Sequence, residues 1–400
     1  MGFRVSQDNY ALEVFESMNQ IEDMRSSLLN WFKLNGRHWI PWKVKSDGNV
    51  PKIQEKLPVY PIWVAEVMLQ QTQLKVVLPY WEKWMRTFPI LPDFAHALDH
   101  EVLLLWQGLG YYSRAHRMHQ ASKKLLDIIG HADSLDPDSW PSDIDSWIAL
   151  PGIGRNTAAS IISSAFNVPA SLLDGNVKRI LARLIGSKKI LSKDSARLWK
   201  LSDLLLDNHE PRNFNQALMD LGSTVCTIKS PKCCCCPWKK YCLAYHQGNP
   251  TEFPIKGPKK LLPDFVIGIG LIFNDLGEIL IAQRKSNQSM GGMWEFPGGK
   301  QEEGESIEYT IIRELQEELG IKVRVGNILL EFDHSYTHKK LHFVVYFCEL
   351  ISGVPKPLAS LQLKWVKSHE LVNYPFPAAN KKMISALKKY LLLSKDSEAL

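Results

Sequence analysis

The sequence predicts two domains of different class in tandem: an α-helical domain over residues 1–247 and an α+β domain over residues 264–400, joined by a linker at 248–263. Three observations lead there. Up to about Tyr245, apolar residues recur every three or four positions, as in Glu101 to Trp106, Thr157 to Phe166 and Asn176 to Leu184, which is helical periodicity. From Asp264 the texture changes to strand-like runs at Phe265 to Phe273, Glu278 to Arg284, His342 to Leu350 and Leu361 to Val366, with one clear helix at Ile307 to Leu319. Between the two, Gln247 to Pro263 is rich in Gly, Pro and Lys, lacks apolar periodicity and reads as an extended linker. With 400 residues, 45% of them hydrophobic, the chain can fill two ordinary cores.

The formal charge of +6 suits a polyanionic partner but does not by itself specify one. Acidic residues near the amino terminus, with no basic start leading into an apolar run, argue against a secretory signal or membrane anchor, so a cytoplasmic protein that binds no membrane is expected. Six of the seven cysteines fall within residues 226–242, the pattern of a metal site in a reducing compartment rather than of a disulfide framework. Cys348, in the apolar run Phe343 to Leu350, reads as a buried small hydrophobe.

In chain order, the first chemically suggestive segment is Tyr60 to Gln73, where Glu66 sits among Val64, Ala65, Val67, Met68 and Leu69. Burial in such surroundings raises a carboxyl's pKa and keeps it protonated. Next, Leu150-Pro-Gly-Ile-Gly-Arg155 joins one helical pattern to another, and its glycines permit a tight turn whose backbone N–H groups can bind a phosphate without reading sequence. The segment from Leu173 to Arg179 then places Asp174 just ahead of a helix, whose dipole should keep it ionised. One neutral and one ionised carboxyl form the pairing expected for cleaving a glycosidic bond through an oxocarbenium-like transition state. Singly, Glu66 also fits a polar position on an amphipathic helix, Asp174 a helix cap and the glycines a plain turn.

The cysteines follow as Cys226-x6-Cys233-x2-Cys236-x5-Cys242. Four thiolates in one short loop can hold a cubane cluster or a tetrahedral zinc, and a single Cys-x2-Cys hook flanked by wider gaps fits zinc less well. Cys234 and Cys235 read as spectators, since using either breaks the outer spacing. Lys229, Lys232, Lys239 and Lys240 surround the loop with positive charge suited to phosphate contact.

These segments, with Gly108 to Arg114, occur together and in the order seen in adenine DNA glycosylases of the MutY type, which residues 25–245 resemble continuously. The resemblance implies a helix-hairpin-helix glycosylase fold with a [4Fe-4S] cluster on the four cysteines, acting as a monomer on double-stranded DNA containing A·8-oxoguanine or A·G mispairs in a bacterial-type, nucleoid-associated setting. It also implies roles: Glu66 protonates the flipped adenine at N7, Asp174 stabilises or traps the positive sugar, and Asn176 orients Asp174 or the attacking water. Trp42 and Lys43 match the adenine pocket, though the family commonly has arginine at the latter position. Gln71 and Thr72 match residues that probe the opposing base, Tyr111 a wedge at the lesion strand, and Gly152, Gly154 and Arg155 the phosphate-binding hairpin. Relatives that cut thymine glycol lesions carry a Schiff-base lysine directly after the hairpin arginine; here Asn156 stands there, so an abasic site should be left without strand cutting. The stretch Val44 to Leu57 reads as a surface loop without an assigned role.

The second domain carries Gly299-x5-Glu305-x7-Arg313-Glu314-Leu315-Gln316-Glu317-Glu318-Leu319-Gly320-Ile321, a complete Nudix signature. Glu314, Glu317 and Glu318 lie three and four apart, so their carboxylates can converge on Mg²⁺ and a nucleoside diphosphate chain. Two readings stand: Mg²⁺-dependent hydrolysis of an oxidised nucleoside triphosphate such as 8-oxo-dGTP, or a Nudix-like domain that only recognises 8-oxoguanine, its glutamates forming a solvated helix face paired with basic neighbours such as Arg313. Tyr374 to Asn380 resembles the base-binding stretch of 8-oxo-dGTP hydrolases, and Tyr336-Thr337-His338 the lesion-reading Phe-Ser-His loop, with Thr337 and His338 as its polar contacts.

Overall fold

The structure, a computed structural model, describes residues 18–130, 133–255, 257, 262–336 and 339–397. Thr337 and His338 lie outside the described residues. In chain order the helices are α1 (Met18–Asn35), α2 (Val59–Leu69), α3 (Leu74–Thr87), α4 (Leu91–His96), α5 (Asp99–Trp106), α6 (Ser113–Ile129), α7 (Ile144–Ile148), α8 (Arg155–Phe166), α9 (Gly175–Leu184), α10 (Leu191–Leu205), α11 (Pro211–Thr224), α12 (Leu243–His246), α13 (Ile307–Leu319) and α14 (Ala378–Ser397). The strands are β1 (Asp264–Ile272), β2 (Ile279–Gln283), β3 (Trp294–Glu295), β4 (Gly298–Lys300), β5 (Lys322–Tyr336), β6 (Lys339–Ser352) and β7 (Gln362–Val366). The chain forms two compact units, residues 1–95 with 120–258 and residues 96–119 with 259–400.

In the first unit, α2 is apolar on every side and buries Val59, Tyr60, Ile62, Trp63, Val64, Ala65, Val67 and Met68. A helix hydrophobic all round belongs in a core. It packs against α8, whose buried Ala158, Ala159 and Ala165 present little bulk, and against α3. Helix α11 packs on α1, α8 and α9, which draws residues from both ends of the helical sequence to one place.

The stretch read as an extended linker is packed as far as Ile255. Pro250–Glu252 forms a 3-10 turn, the Phe253 ring is buried, the Arg183 Nε–H donates to the Phe253 carbonyl at 3.0 Å, and Ile255 bridges Ile190. The Val44 to Leu57 stretch is also held, because the buried Arg212 donates to the Lys52 and Glu55 carbonyls at 3.3 and 2.7 Å.

The second unit holds a four-stranded sheet in the order β4-β1-β6-β5 and a three-stranded sheet in the order β3-β2-β7. β1 runs parallel to β6 and antiparallel to β4. Side chains alternate along β1: Ile269 and Leu271 enter one core with Phe343, Val345, Phe376 and Met383, while Ile272 enters the other with Ile311, Leu315 and Leu319 of α13. On the α13 side Gly268 and Gly270 leave room for the helix, since a Cβ at either would lie 2.8 Å from Ile311 or Leu315. Helix α13 starts at a Ser306 cap accepting from the Tyr309 N–H and stops at Gly320 with φ +69°.

Candidate active site

Glu66 is a carboxylic acid on a helix whose other residues are apolar. The residue keeps partial exposure, yet its carboxyl is enclosed deeply enough that burial pushes it up to about 7. A hydrogen bond with Ser160 of α8 and the charge of Lys43 oppose that rise, and the negative charge of Asp174 adds to it. Ser160 carried no signal in the sequence, because only the α2–α8 packing brings its hydroxyl to the glutamate.

Lys43 ends a 3-10 turn, Pro41–Lys43, whose Trp42 is buried with its ring centroid 5.2 Å from that of Trp81. The Lys43 ammonium lies 3.5 Å from Asp220 of α11, and Arg37 binds the same carboxylate through its backbone N–H at 2.7 Å, Nε at 2.8 Å and Nη2 at 2.6 Å. The Asp220 side chain is fully buried. Burial alone would raise it, but the charge of Lys43 and the hydrogen bonds and charge of Arg37 outweigh that and hold it below the ordinary carboxylate value. Burial lowers the Lys43 ammonium, and the attraction of Asp220 offsets part of this.

Asp174 caps α9, its Oδ1 accepting from the Val177 N–H at 2.8 Å and its Oδ2 from the Asn176 Nδ2 at 3.2 Å. The helix dipole was expected to keep it ionised. Burial raises it above the ordinary value, and the Val177 and Asn176 N–H groups and Arg179 oppose that rise and favour the ionised form. Asn176 is fixed in turn by Arg179, whose Nη2 donates to its Oδ1 at 2.9 Å, and by Gly222, where a Cβ would come within 2.6 Å of its own. Asn156 exchanges two hydrogen bonds with the backbone of Leu173, at 3.1 and 2.5 Å, and so anchors the residue before Asp174.

The hairpin turns on Gly152, with φ +80°, and α8 begins at Gly154 without a side-chain cap, leaving a helix start suited to an anion. The Arg155 guanidinium lies over Trp199 at 3.8 Å from the ring centroid and 3.1 Å from Asp203. Gln71 is exposed with φ +60°, and Thr72 follows it with its hydroxyl 3.4 Å from the Gln70 carbonyl. Gln70, which the sequence did not single out, reaches the hairpin through Gly152 O at 3.3 Å and Thr157 Oγ1 at 3.0 Å. Tyr111 belongs to the second unit, where it is exposed at φ +49° with the Arg114 guanidinium 5.5 Å from its ring centroid.

The cysteine loop runs from the end of α11 to the start of α12. Cys226, Cys233, Cys236 and Cys242 are drawn inward, and the thiols of Cys233, Cys236 and Cys242 each feel the charge of Cys226, whereas Cys234 and Cys235 are exposed. Arg183 of α9 donates to Cys226 Sγ at 3.2 Å and to the carbonyls of Cys226, Thr227 and Ile228 at 3.3, 2.7 and 3.1 Å. The buried Trp238 ties the loop to α1 by donating to the Met24 carbonyl at 2.8 Å. Four inward thiols beside a guanidinium that offsets thiolate charge fit an iron–sulfur cluster. As they stand among the described residues, no three His, Cys, Asp or Glu side chains are gathered into a metal-ion site.

In the Nudix segment two of the three glutamates pair with the basic neighbour Arg313. Glu317 is exposed and pairs with Arg313 Nη1 at 3.2 Å, Glu314 pairs with the same nitrogen at 3.0 Å beneath Gly299, and Glu318 accepts from the neighbouring Gly298 N–H at 3.4 Å. Arg313 takes up the first two because Glu305 holds it at 2.7 Å. Burial, with the charges of Glu295 and Glu314, pushes Glu318 up to about 7. Glu318 and Glu295 line a small open cleft with Arg284, Gln288 and Ser360.

Comparison with known proteins agrees with the two-part layout. Residues 64–202 match the HhH-GPD superfamily of base excision DNA repair proteins, and residues 268–386 match the NUDIX domain. An adenine DNA glycosylase of Mus musculus is 31% identical over 92% of this chain and 79% of its own length. One from Buchnera aphidicola subsp. Acyrthosiphon pisum (strain APS) is 31% identical over 79% and 83%. A solved thermostable thymine-DNA glycosylase is 22% identical with a TM-score of 0.47, covering 60% of this chain and 100% of that one. The chain therefore belongs to the adenine DNA glycosylase family, base-excision repair enzymes that hydrolyse an N-glycosyl bond, here with a helical HhH-GPD fold and a C-terminal Nudix domain.

Proposed function

We propose that the protein excises adenine placed opposite 8-oxoguanine or guanine in duplex DNA, by hydrolysis and without cutting the strand. The observation that carries this reading is the pair Glu66 and Asp174: a carboxyl with a pKa of about 7, able to give a proton, beside a second carboxyl held by the Val177 N–H and Asn176. Glu66 protonates the flipped adenine at N7, which makes the base a better leaving group. Asp174 stabilises the positive sugar as the bond breaks, and Asn176 holds Asp174 in one orientation. After the hairpin the position that could supply an amine is Asn156, engaged with Leu173, so no imine forms there.

Gly152, Gly154 and Arg155 hold the DNA backbone, Trp42 and Lys43 border the adenine, and Gln71, Thr72, Tyr111, Thr337 and His338 meet the helix around the mispair. Cys226, Cys233, Cys236 and Cys242 hold a [4Fe-4S] cluster that braces the basic loop and, through Arg183 and Arg179, the helix that Asp174 caps. The protein acts as a monomer, in a bacterial-type cell at the nucleoid. Single-turnover adenine release from A·8-oxoguanine, A·G and A·T duplexes tests the reading, with release from the first two expected. A borohydride-trapped adduct on the intact A·8-oxoguanine duplex would refute the strand-sparing mechanism.

A second reading, Mg²⁺-dependent hydrolysis of an oxidised purine nucleoside triphosphate by the Nudix domain, is favoured by one observation. Glu314 is packed under Gly299 so closely that a Cβ there would sit 2.2 Å from its carboxyl carbon, while Glu318, Glu295 and Arg284 share one polar cleft. Glu314, Glu317 and Glu318 would hold the Mg²⁺ once Arg313 releases the first two, and the ion would neutralise phosphate charge. Full-length protein, given 8-oxo-dGTP and Mg²⁺, should release a nucleoside monophosphate and bind Mn²⁺ detectably by electron paramagnetic resonance. Neither should survive Glu318→Gln, and wild-type protein lacking both would refute this reading.

A further inference from the structure

Two of the clustered cysteines, Cys234 and Cys235, fall outside the set assigned to the iron–sulfur cluster, and the geometry of their turn explains why both face solvent. Cys233–Cys235 forms a 3-10 turn, in which the Cys235 N–H donates to the Lys232 carbonyl at 3.1 Å and the Cys236 N–H to the Cys233 carbonyl at 3.2 Å. At about three residues per turn, positions i and i+3 eclipse, so Cys233 and Cys236 share the inward face and the two residues between them are turned out. Cys234 and Cys235 are exposed, with their sulfur atoms 3.6 Å apart. Lys229 and Lys232, on the same loop, are exposed as well, and Lys240 is engaged by Asp23.

We propose that Cys234 and Cys235 form a modification site that takes one small anionic thiol, of the glutathione class, as a mixed disulfide. The oxidant is the disulfide of that thiol. The sulfur of Cys234 or Cys235 gives up its proton and attacks one sulfur of the disulfide. A new S–S bond forms as the old one breaks, the cysteine is oxidised, and the departing sulfur is reduced and takes a proton to leave as the free thiol. Access selects these two sulfurs, since exchange needs an open approach and the other cysteines are drawn inward or buried. Charge selects the thiol, because the carboxylates of an acidic thiol come to rest beside Lys229 and Lys232, whereas a cationic thiol is repelled. The reaction stops at the mixed disulfide, because adjacent Cα atoms lie about 3.8 Å apart, short of the roughly 4.4 Å that an unstrained disulfide needs. Sulfurs 3.6 Å apart share one patch of space, so the first thiol bound covers the second cysteine. The modification puts negative charge into a loop whose lysines suit phosphate contact and thereby weakens duplex binding, a consequence that rests on that reading of the loop.

The test incubates full-length, cluster-bearing protein with glutathione disulfide and reads intact mass under non-reducing conditions together with cluster absorbance. One glutathione per chain is expected, with the absorbance unchanged and the adduct removed by dithiothreitol. Cys234→Ser and Cys235→Ser should each still take one, and the double variant none. Cystamine, a cationic disulfide, should react about threefold or more slowly at low salt. No adduct on the wild type, an adduct that persists in the double variant, one that forms only as cluster absorbance falls, or equal reaction with cystamine overturns the proposal. If the double variant does not hold its cluster, fragment-ion mapping of the wild-type adduct decides, with any cysteine other than Cys234 or Cys235 as the refuting result. The modified wild type should bind duplex DNA about tenfold more weakly, and the double variant treated in the same way should bind as before. An adduct at the pair with duplex binding unweakened would overturn the reading of the loop as a phosphate contact and leave the modification site standing.

Discussion

Replacing Glu66 with glutamine should abolish excision and, above neutral pH, stabilise the helical unit. In the folded protein the carboxyl is raised from 4.5 to about 7, chiefly by burial. Between those two values the folded state binds a proton that the unfolded state has lost, so stability falls as pH rises through this window, and the full cost is present above about 7. At about 1.4 kcal/mol per pH unit, the interval from 4.5 to about 7 amounts to about 3 kcal/mol. Glutamine cannot ionise and can still meet the Ser160 hydroxyl, so the variant escapes that cost. Urea unfolding followed by tryptophan fluorescence should give matching stabilities for the two proteins near pH 4.5 and an advantage of about 3 kcal/mol for Glu66→Gln at pH 8. A difference that does not change between these pH values would refute the reasoning, because it would mean that Glu66 ionises in the fold as freely as in water.

In the wild type, excision should decline as pH rises through about 7, as Glu66 loses its proton, and a single-turnover pH profile shows whether it does. Asp174→Asn should keep the cap to the Val177 N–H, and with it the fold, yet slow excision on the order of a hundredfold to a thousandfold, measured by single-turnover kinetics with circular dichroism as the control. Arg183→Met removes donors from the carbonyls of Cys226, Thr227, Ile228 and Phe253 and should destabilise the cysteine loop by on the order of 3 kcal/mol, seen as earlier loss of cluster absorbance during denaturation. Gly299→Ala should displace Glu314 and weaken Mn²⁺ binding by about tenfold or more in titrations, while leaving adenine release intact.

The parts of this architecture that were legible in the sequence are those in which neighbours along the chain decide the outcome. Helix α13 has its Ser306 cap and Gly320 stop written locally, and the observed bounds match the expected ones. The all-round apolar character of α2 marked its one glutamate as unusual before any packing was known. β5 escaped notice because its exposed and half-buried residues mix without a clean alternation, interrupted by register shifts at Val325, Ile328 and Leu330, and only pairing with β6 defines it. Helix α14 went unseen because its apolar face is defined by the core that Ala379, Met383 and Leu387 enter, not by a local pattern.

At the candidate site, residue types were legible and their partners were not. Asn156 could be read as a missing amine, but its clamp on Leu173 depends on two segments meeting across a turn. Asp220 gave no signal at all, since its partners Arg37 and Lys43 lie at the other end of the helical sequence. For Asp174 the helix-dipole argument considers one helix, whereas the burial that raises its carboxyl comes from everything packed around it. For the Nudix glutamates, spacing showed which side chains share a helix face, and Arg313, whose one nitrogen bridges Glu314 and Glu317, was legible as their basic neighbour.

The central claim is that a protonated Glu66 expels adenine from a mispair. Its most direct test is single-turnover adenine release from an A·8-oxoguanine duplex by wild-type and Glu66→Gln protein at pH 6, with a matched A·T duplex as the reference. The account predicts release by the wild type from the mispair, little from A·T, and none by the variant. Release by Glu66→Gln at the wild-type rate would contradict it.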